Sequence, residues 1–153
     1  MFHLFRKKAI NYFSAEEKAK IVAAIQTAEH TTSGEVRVYV ESKCSYMNAL
    51  DRAKEIFANL KMYATAERNA VLIYIALKDK QLAVFGDEGI HQKVGDVFWN
   101  QSVKTMLQHF NKTNYAEGIV TIIGEVGKAL QQHFPYNAQT DTNELSDDIV
   151  FGK

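Results

Sequence analysis

The longest continuous apolar stretch of the chain runs from Ala70 to Leu77. Both sets of alternating positions are apolar: Val71, Ile73, Ile75 and Leu77 on one side, and Ala70, Leu72, Tyr74 and Ala76 on the other. A run of this length that is rich in β-branched residues is typical of a central strand covered on both faces. After a polar break at residues 78–80 the apolar pattern resumes over 81–86, which predicts a tight antiparallel hairpin.

A helix and a second strand are predicted ahead of this hairpin. Ser14 and Glu17 have the spacing of a capping box, and the segment behind them carries an apolar stripe until about His30. Residues 35–42 alternate valines with Arg37, Tyr39 and Glu41, which indicates a strand buried more on one face than on the other.

Helical periodicity returns from Met47 to Met62, and the positions expected to face inward are Met47, Leu50, Ala53, Phe57 and Leu60. A strand, a helix and a strand form a crossover unit, so strands 35–42 and 70–77 should be parallel with a right-handed connection. Parallel strands begin at the same edge of a sheet, and the end of the second hairpin strand returns there. This edge should therefore collect the polar residues Glu35, Glu67, Arg68, Asn69, Asp87 and Glu88.

Two more helices are predicted in the second half of the chain. The first carries the stripe Ile90, Val94, Val97 and Phe98, followed by Val103, Met106, Leu107 and Phe110. Asn114 and Glu117 repeat the capping pattern and open the last helix, which Pro135 ends. Its inward positions should be Ile119, Ile122, Ile123, Val126, Ala129 and Leu130, and Gly118, Gly124 and Gly127 suggest tight packing against a neighbour.

Together these elements predict a three-layer α/β/α sandwich with a small mixed sheet. We expect a lead-in over residues 1–13, a single domain over 14–136 and a polar tail over 137–153. The apolar residues 149–151 of that tail either dock on the domain or stay mobile.

Composition narrows the class of protein. The chain has 153 residues with 18 basic and 18 acidic side chains, so no global field favours nucleic acid or an anionic membrane. The single cysteine, Cys44, excludes an internal disulfide and suits a reducing compartment. No signal peptide or membrane-spanning stretch is apparent, and we expect a cytoplasmic protein.

The acidic edge is the main candidate for a site. Glu35, Glu67, Asp87 and Glu88 come from three separate segments, and Asp96 lies farther along the helix that begins there. Hard cations such as Ca²⁺ and Mg²⁺ prefer several oxygen ligands, and Asn69 with the carbonyls of Gly86 and Gly89 could complete a shell.

Two alternatives to a cation site stay open at this edge. Asp87 or Glu88 could cap the following helix, and Arg68 could form a salt bridge with Glu35 or Asp87. His91 could act as a general acid or an outer partner, or be an exposed first-turn residue. Ser33 could suggest a nucleophile, but the sequence shows no base positioned to activate it.

Several short segments resemble the TPM domain family, which includes thylakoid lumen and photosystem II repair proteins and many bacterial proteins. They are Ser33-Gly34-Glu35, the segment 67–73, the segment 86–90, Tyr115-Ala116-Glu117-Gly118-Ile119, and the endings His133-Phe134-Pro135 and Asn143-Glu144-Leu145 of a bacterial subgroup. The similarity spans about residues 14 to 150.

The resemblance implies an α/β/α sandwich with a divalent-cation site, for calcium especially, in an acidic depression at the strand ends. It also implies an acid phosphatase activity found among plant relatives. Onto this chain it carries Glu35, Glu67 and Asp87 as cation ligands, Glu88 and Asp96 as weaker candidates, and Arg68 and Asn69 as outer-shell or substrate contacts. Many members have a signal peptide and a membrane tail, which are not apparent here, and Asn114 stands where the family commonly has Asp.

Three hypotheses follow for the function. The first is a cation-binding module that presents a surface to a protein partner, and the second is a metal-assisted phosphatase acting on phosphomonoesters. In the third, the domain is a scaffold whose acidic edge binds nothing.

Overall fold

The computed structural model describes residues 8–44, 47–111, 114–137 and 148–152, the side chain of Asn111 excepted. The helices are α1 (Ala15–Glu29), α2 (Ala49–Asn59), α3 (Glu88–Asn111) and α4 (Tyr115–His133). The strands are β1 (Glu35–Glu41), β2 (Ala70–Ala76), β3 (Gln81–Gly86) and β4 (Val150–Phe151), and a short 3₁₀ turn precedes α1 at Ala9–Asn11. The segment 143–145 lies outside the described residues.

The strands form one mixed sheet in the order β3-β2-β1-β4. β1 and β2 are parallel, with Glu35 opposite Ala70, and β2 and β3 are antiparallel, with Val71 opposite Gly86. The predicted parallel pairing of β1 with β2 and the predicted hairpin are therefore both confirmed. The tail residues of β4 add to the outer side of β1 in parallel, where the amide of Gly152 also donates to the carbonyl of Val40.

Helices cover both faces of the sheet, as a three-layer sandwich requires. On one face α1, α3 and α4 pack against the side chains of Val36, Val38, Val71, Ile73, Leu82 and Val84. On the other face α2 alone packs against Ala70, Leu72, Tyr74 and Ala83. All seven residues of β2 are buried, because both faces of this strand are covered.

Ser14 caps α1 with the full capping box that the sequence predicts, since its hydroxyl accepts from the Glu17 amide and the Glu17 carboxylate accepts from the Ser14 amide. The last helix begins directly after Asn114, as predicted, but the capping bond expected of Asn114 does not form. Asn114 has φ −110° and ψ 67°, outside the extended conformation of a capping residue, and makes no side-chain cap bond.

Three residues predicted to face inward are exposed instead. Leu50 is 45% exposed because α2 overhangs the edge strand β3, where the sheet ends. Val97 is 72% exposed because Gly95, with φ 74° and ψ 176°, interrupts α3 and resets the helical phase after Val94. Leu107, farther along the same helix, is also exposed.

The inward face of α4 is predicted correctly, and two of its glycines mark close contacts. A Cβ on Gly127 would lie 2.9 Å from Cβ of Ala28 on α1, and one on Gly118 would lie 2.8 Å from Cβ of His109 on α3. A Cβ on Gly124 would meet no atom of the described residues within 4 Å outside its own helical turn, so the expectation of tight packing is wrong there.

Candidate functional site

The acidic edge predicted from the topology exists at the start of β1 and β2. Glu35 lies opposite Ala70, and the amide of Asp87 donates to the carbonyl of Ala70 at 2.9 Å, so the three residues form one row across three strands. Neighbouring strands lie about 4.8 Å apart, which puts the Glu35 and Asp87 backbones roughly 10 Å from one another. Both side chains lie on the α2 face by strand alternation, and Glu35 and Asp87 are almost completely buried.

The loop 65–69 brings Glu67, Arg68 and Asn69 to this row. Two amides donate hydrogen bonds within the loop. The Arg68 amide donates to the Thr65 carbonyl, and the Asn69 amide donates to the Thr65 hydroxyl. The start of α3 packs directly on the loop: the Gly89 amide donates to the Arg68 carbonyl at 2.8 Å, and a Cβ on Gly89 would lie 2.6 Å from that oxygen. Arg68 itself adopts φ 52°, a strained conformation for a residue with a side chain.

Asp87 immediately precedes α3 and is held by Arg68, so the salt-bridge alternative raised by the sequence applies to this carboxylate. Its Oδ2 accepts from Arg68 Nε at 2.6 Å, and its Oδ1 accepts from Arg68 Nη2 at 2.8 Å and from the Glu88 amide at 2.8 Å. The Glu88 carboxylate lies 3.3 Å from Arg68 Nη1. The hydrogen bonds to Asp87 raise the pKa of the Arg68 guanidinium above its ordinary value.

A second group of polar residues lies beside this ion pair. The Ser33 hydroxyl donates to Glu67 Oε2 at 2.8 Å and lies 3.3 Å from Asn69 Nδ2. Asn69 is 1% exposed, and its Oδ1 accepts no hydrogen bond from the described residues. A buried carbonyl oxygen without a donor is uncommon, and the amide nitrogen of the same side chain bonds to the Ser33 hydroxyl, which in turn bonds to the exposed carboxylate of Glu67.

Asp96 is separated from the row by the interruption at Gly95. Its carboxylate is 88% exposed and lies 3.7 Å from Nε2 of His91. The other ring nitrogen of His91, Nδ1, accepts from Trp99 Nε1 at 2.9 Å. His91 is thus a bridge between the two halves of α3, which the sequence did not indicate.

The structure brings Glu35, Glu67, Arg68, Asn69, Asp87 and Glu88 together and leaves Asp96 on the flank. Within the described ranges, no three His, Cys, Asp or Glu side chains are grouped closely enough to hold a metal ion as they stand. We call the residues 33–35, 67–69 and 87–88 the acidic rim.

The sequence does not predict a second polar cluster, largely buried, which lies at the opposite end of β1 and β2 from the acidic rim. The Glu41 carboxylate accepts from Arg52 Nε at 2.9 Å, from Arg52 Nη2 at 3.0 Å and from the Tyr74 hydroxyl. Burial raises the pKa of Tyr74 far above its ordinary value, and the hydrogen bond to Glu41 adds to the shift. The only indication of this cluster in the sequence is Glu41, an acidic residue at the end of a buried strand. Its partners Arg52 and Tyr74 lie in α2 and β2.

Residues 7–129 match the family model described as the TPM domain. The chain belongs to the TPM domain family. A solved relative of this TPM domain is the BA42 protein of the psychrophilic bacterium Bizionia argentinensis, which is 40% identical, with a TM-score of 0.85 over 93% of this chain and 97% of that one.

Two more distant structures share the fold. The N-terminal domain of the cg2496 protein from Corynebacterium glutamicum has a TM-score of 0.62 at 14% identity, over 78% of this chain and 74% of that one. The N-terminal domain of a P. gingivalis protein has a TM-score of 0.69 at 14% identity, over 83% of each chain. A comparison with curated proteins finds no match. Among the described residues of this TPM domain, no helix has the length and apolar character needed to cross a bilayer.

Proposed function

We propose that this TPM domain binds a divalent cation at the acidic rim, Ca²⁺ in the first place and Mg²⁺ as the alternative. The ion would order the rim and present it to a protein partner. The carbonyl oxygen of Asn69, buried and without a donor among the described residues, carries the proposal, because such an oxygen gains a partner when a cation binds. The buried free thiol of Cys44 suits a reducing compartment, and we propose a cytoplasmic location.

The chemistry of the rim suits a hard cation. Its donors are all oxygens: the carboxylates of Glu35, Glu67, Asp87 and Glu88, the amide of Asn69 and the carbonyls of the loop. Glu67 and Glu88 are exposed and can move toward an ion. Asp96, whose carboxylate lies 3.7 Å from His91 Nε2, could add an outer ligand.

Arg68 is the group that a cation must displace. Its guanidinium occupies both oxygens of Asp87 and also lies near Glu88, so it is an internal counter-ion for the rim. The Arg68 side chain is 42% exposed, which leaves it room to swing into solvent when a divalent ion replaces it. Cation binding should therefore be weakened by Arg68.

The proposal is tested by titrating the protein with Ca²⁺, Mg²⁺ and Mn²⁺ while calorimetry and amide NMR shifts are recorded. We expect shifts confined to residues 33–35, 67–69 and 87–89. Asp87→Asn, which keeps a good capping residue, and Glu67→Gln should each lower the affinity about tenfold or more, whereas the remote Glu16→Gln should not change it. The absence of heat and of rim shifts at millimolar Ca²⁺ would exclude the proposal and leave the scaffold hypothesis.

Arg68→Gln supplies the sharper variant, because it removes the internal counter-ion and keeps a polar side chain. We expect it to raise the Ca²⁺ affinity several-fold, while Arg68→Lys, which keeps the charge, should stay near wild type. A lower affinity in Arg68→Gln would show that Arg68 orders the rim for the ion and does not compete with it.

A phosphatase is the second candidate, and the Ser33–Glu67 contact favours it. A general base must lie within hydrogen-bond reach of the group that it deprotonates, and Glu67 Oε2 lies 2.8 Å from the Ser33 hydroxyl. A bound cation would supply the charge that stabilises the phosphate oxygens. Arg68 would hold the phosphate only after it leaves Asp87.

Hydrolysis of p-nitrophenyl phosphate, with and without chelator, tests this candidate. The expected pattern is a chelator-sensitive rate that Glu67→Gln reduces at least about a hundredfold, the range of general-base catalysis. The same rate in wild type and Glu67→Gln would assign the activity to a contaminant.

A further inference from the structure

Among the residues that the structure describes, no strand pairs with the outer edge of β3, which lies in a groove between two helices. β3 is the terminal strand of the sheet, and α2 and α3 overhang it on opposite faces. The cavity between them measures about 720 Å³, and its apolar wall includes Leu50, Phe85, Trp99 and Val103. We call it the β3 groove.

The register shows which backbone groups face the groove. The Asp87 amide donates to the Ala70 carbonyl, so residues 81, 83, 85 and 87 form the hydrogen-bonded pairs with β2. The N–H and C=O groups of Leu82, Val84 and Gly86 therefore point away from β2, into the β3 groove. These three residues present the donors and acceptors that an added strand would use.

The α3 wall of the groove is held in place by packing and a hydrogen bond, whereas the α2 wall exposes an apolar side chain. Trp99 packs against Gly86, where a Cβ would overlap the indole ring, and its Nε1 donates to His91. Leu50 on α2, which also lines the groove, is 45% exposed. A strand lying beside β3 would cover Leu50 and pair the three outward backbone positions in one step.

The charges of the groove specify what kind of strand fits. One end carries the carboxylates of Glu88 and Asp96, whose side chains are 64% and 88% exposed, beside the buried Asp87, which Arg68 already pairs. Of the described residues in the lining, Lys54 is the one lysine or arginine. An extended segment with apolar side chains and a Lys or Arg near the Gly86 end matches this distribution.

We propose that the β3 groove binds an extended, basic peptide segment of a partner protein, which adds to the sheet as a fifth strand beside β3. The opposite edge of the sheet is already covered in this way, because β4 of the tail pairs with β1. The inference goes beyond cation binding. It is tested in the presence of EDTA, so that a failure of the cation site would not affect the result.

The probes are the end-blocked hexapeptides KVTVTV and VTVTVK, which place a lysine at either end of an alternating apolar strand. Binding of one of them should shift the amide resonances of Leu82, Val84 and Gly86 and slow their hydrogen exchange. Glutamate in place of the lysine should weaken binding about fivefold, and N-methylation of alternate peptide amides should abolish it. Equal binding of the N-methylated peptide, or shifts on another surface, would overturn the proposal.

Variants of the groove provide a matched comparison. Leu50→Ala should weaken peptide binding roughly fivefold to tenfold, whereas Val97→Ala, at an exposed apolar residue outside the groove, should leave it unchanged. Val84→Pro removes one outward N–H without breaking the bonds to β2, and it should abolish binding in a protein that remains folded by circular dichroism.

Slow hydrogen exchange of the Leu82, Val84 and Gly86 amides without peptide would also overturn the proposal. Light scattering would then assign the groove to a second copy if the chain is a dimer, or to its own residues if it is a monomer.

Discussion

At the scale of single residues, the glycines of this chain differ in whether a close contact or a positive φ excludes a side chain. Gly89 allows the first turn of α3 to lie on the loop carbonyls of Glu67 and Arg68, where no Cβ fits. Gly95 adopts φ 74°, which a side chain would strain, although the space around it is empty. Gly124 has neither constraint, because it is helical and exposed.

Alanine at two of these positions should therefore have opposite effects. Gly89→Ala should destabilise the protein by about 2–3 kcal/mol, since the atoms that it meets are backbone oxygens that cannot move aside cheaply. Gly124→Ala should stabilise it by about 0.5–1 kcal/mol through the helix propensity of alanine. Urea unfolding of the two variants checks both signs, and a neutral Gly89→Ala would show that α3 does not need its close contact with the loop.

The sequence predicted which residues meet at the acidic rim but not how they pair. The parallel crossover and the hairpin are encoded in hydrophobic periodicity, and they suffice to bring Glu35, Glu67 and Asp87 to one edge. Whether Arg68 would bind Glu35 or Asp87 depends on the strained turn at Arg68 and on side-chain directions. These are tertiary features, and periodicity does not report them.

At the scale of elements, two helices carry the same apparent start signal and differ in structure. Ser14 is extended at φ −66° and ψ 165°, and its capping box is complete. Asn114 has a different backbone conformation, with φ −110° and ψ 67°, and its side chain makes no capping bond. A motif three residues apart therefore predicts that a helix begins, while the backbone decides whether the capping bond forms.

Removing the two capping side chains should separate these cases. Ser14→Ala should cost about 1 kcal/mol of stability, because the Glu17 amide loses its acceptor. Asn114→Ala should change the stability by less than about 0.5 kcal/mol, the usual range for a substitution without such a feature. Denaturant unfolding at constant pH measures both, and equal losses in the two variants would contradict the assignment of the caps.

Element boundaries were easier to predict than the faces of the helices. The stripe of α4 has nine buried residues and an unbroken period, and it was predicted correctly. In α3 the interruption at Gly95 shifts the phase, so Val97 turns outward although it continues the pattern of Ile90 and Val94. No local signal shows that a glycine inside a helical pattern has a positive φ.

At the scale of the whole molecule, the sheet separates two polar regions of different character. The acidic rim at the start of β1 and β2 includes exposed carboxylates and a buried oxygen to which no group of the described residues donates. The cluster of Glu41, Arg52 and Tyr74 at the other end is buried and closely paired. A paired cluster of this kind contributes to the stability of the fold, whereas the rim retains groups that can bind a ligand.

The paired cluster should make the stability of the molecule fall at alkaline pH. Burial raises the pKa of Tyr39 and of Tyr74 in the folded chain above the ordinary value of 10.0. Above pH 10 the unfolded chain loses these protons while the folded chain keeps them, so the free energy of unfolding decreases as the pH rises. Each such tyrosine adds a slope of up to about 1.4 kcal/mol per pH unit.

Tyr74→Phe isolates the contribution of one of the two tyrosines. At pH 7 the variant should lose about 1–2 kcal/mol, because the hydroxyl no longer donates to Glu41 while Arg52 still does. Above pH 10 its stability should fall less steeply than that of the wild type, and the two curves should converge. Urea unfolding from pH 8 to 11 gives both slopes, with Tyr63→Phe, at a tyrosine that is 47% exposed, as the control. Parallel curves for Tyr74→Phe and the wild type would show that Tyr74 ionises in the folded chain as readily as in the unfolded one, and that the cluster does not keep its proton.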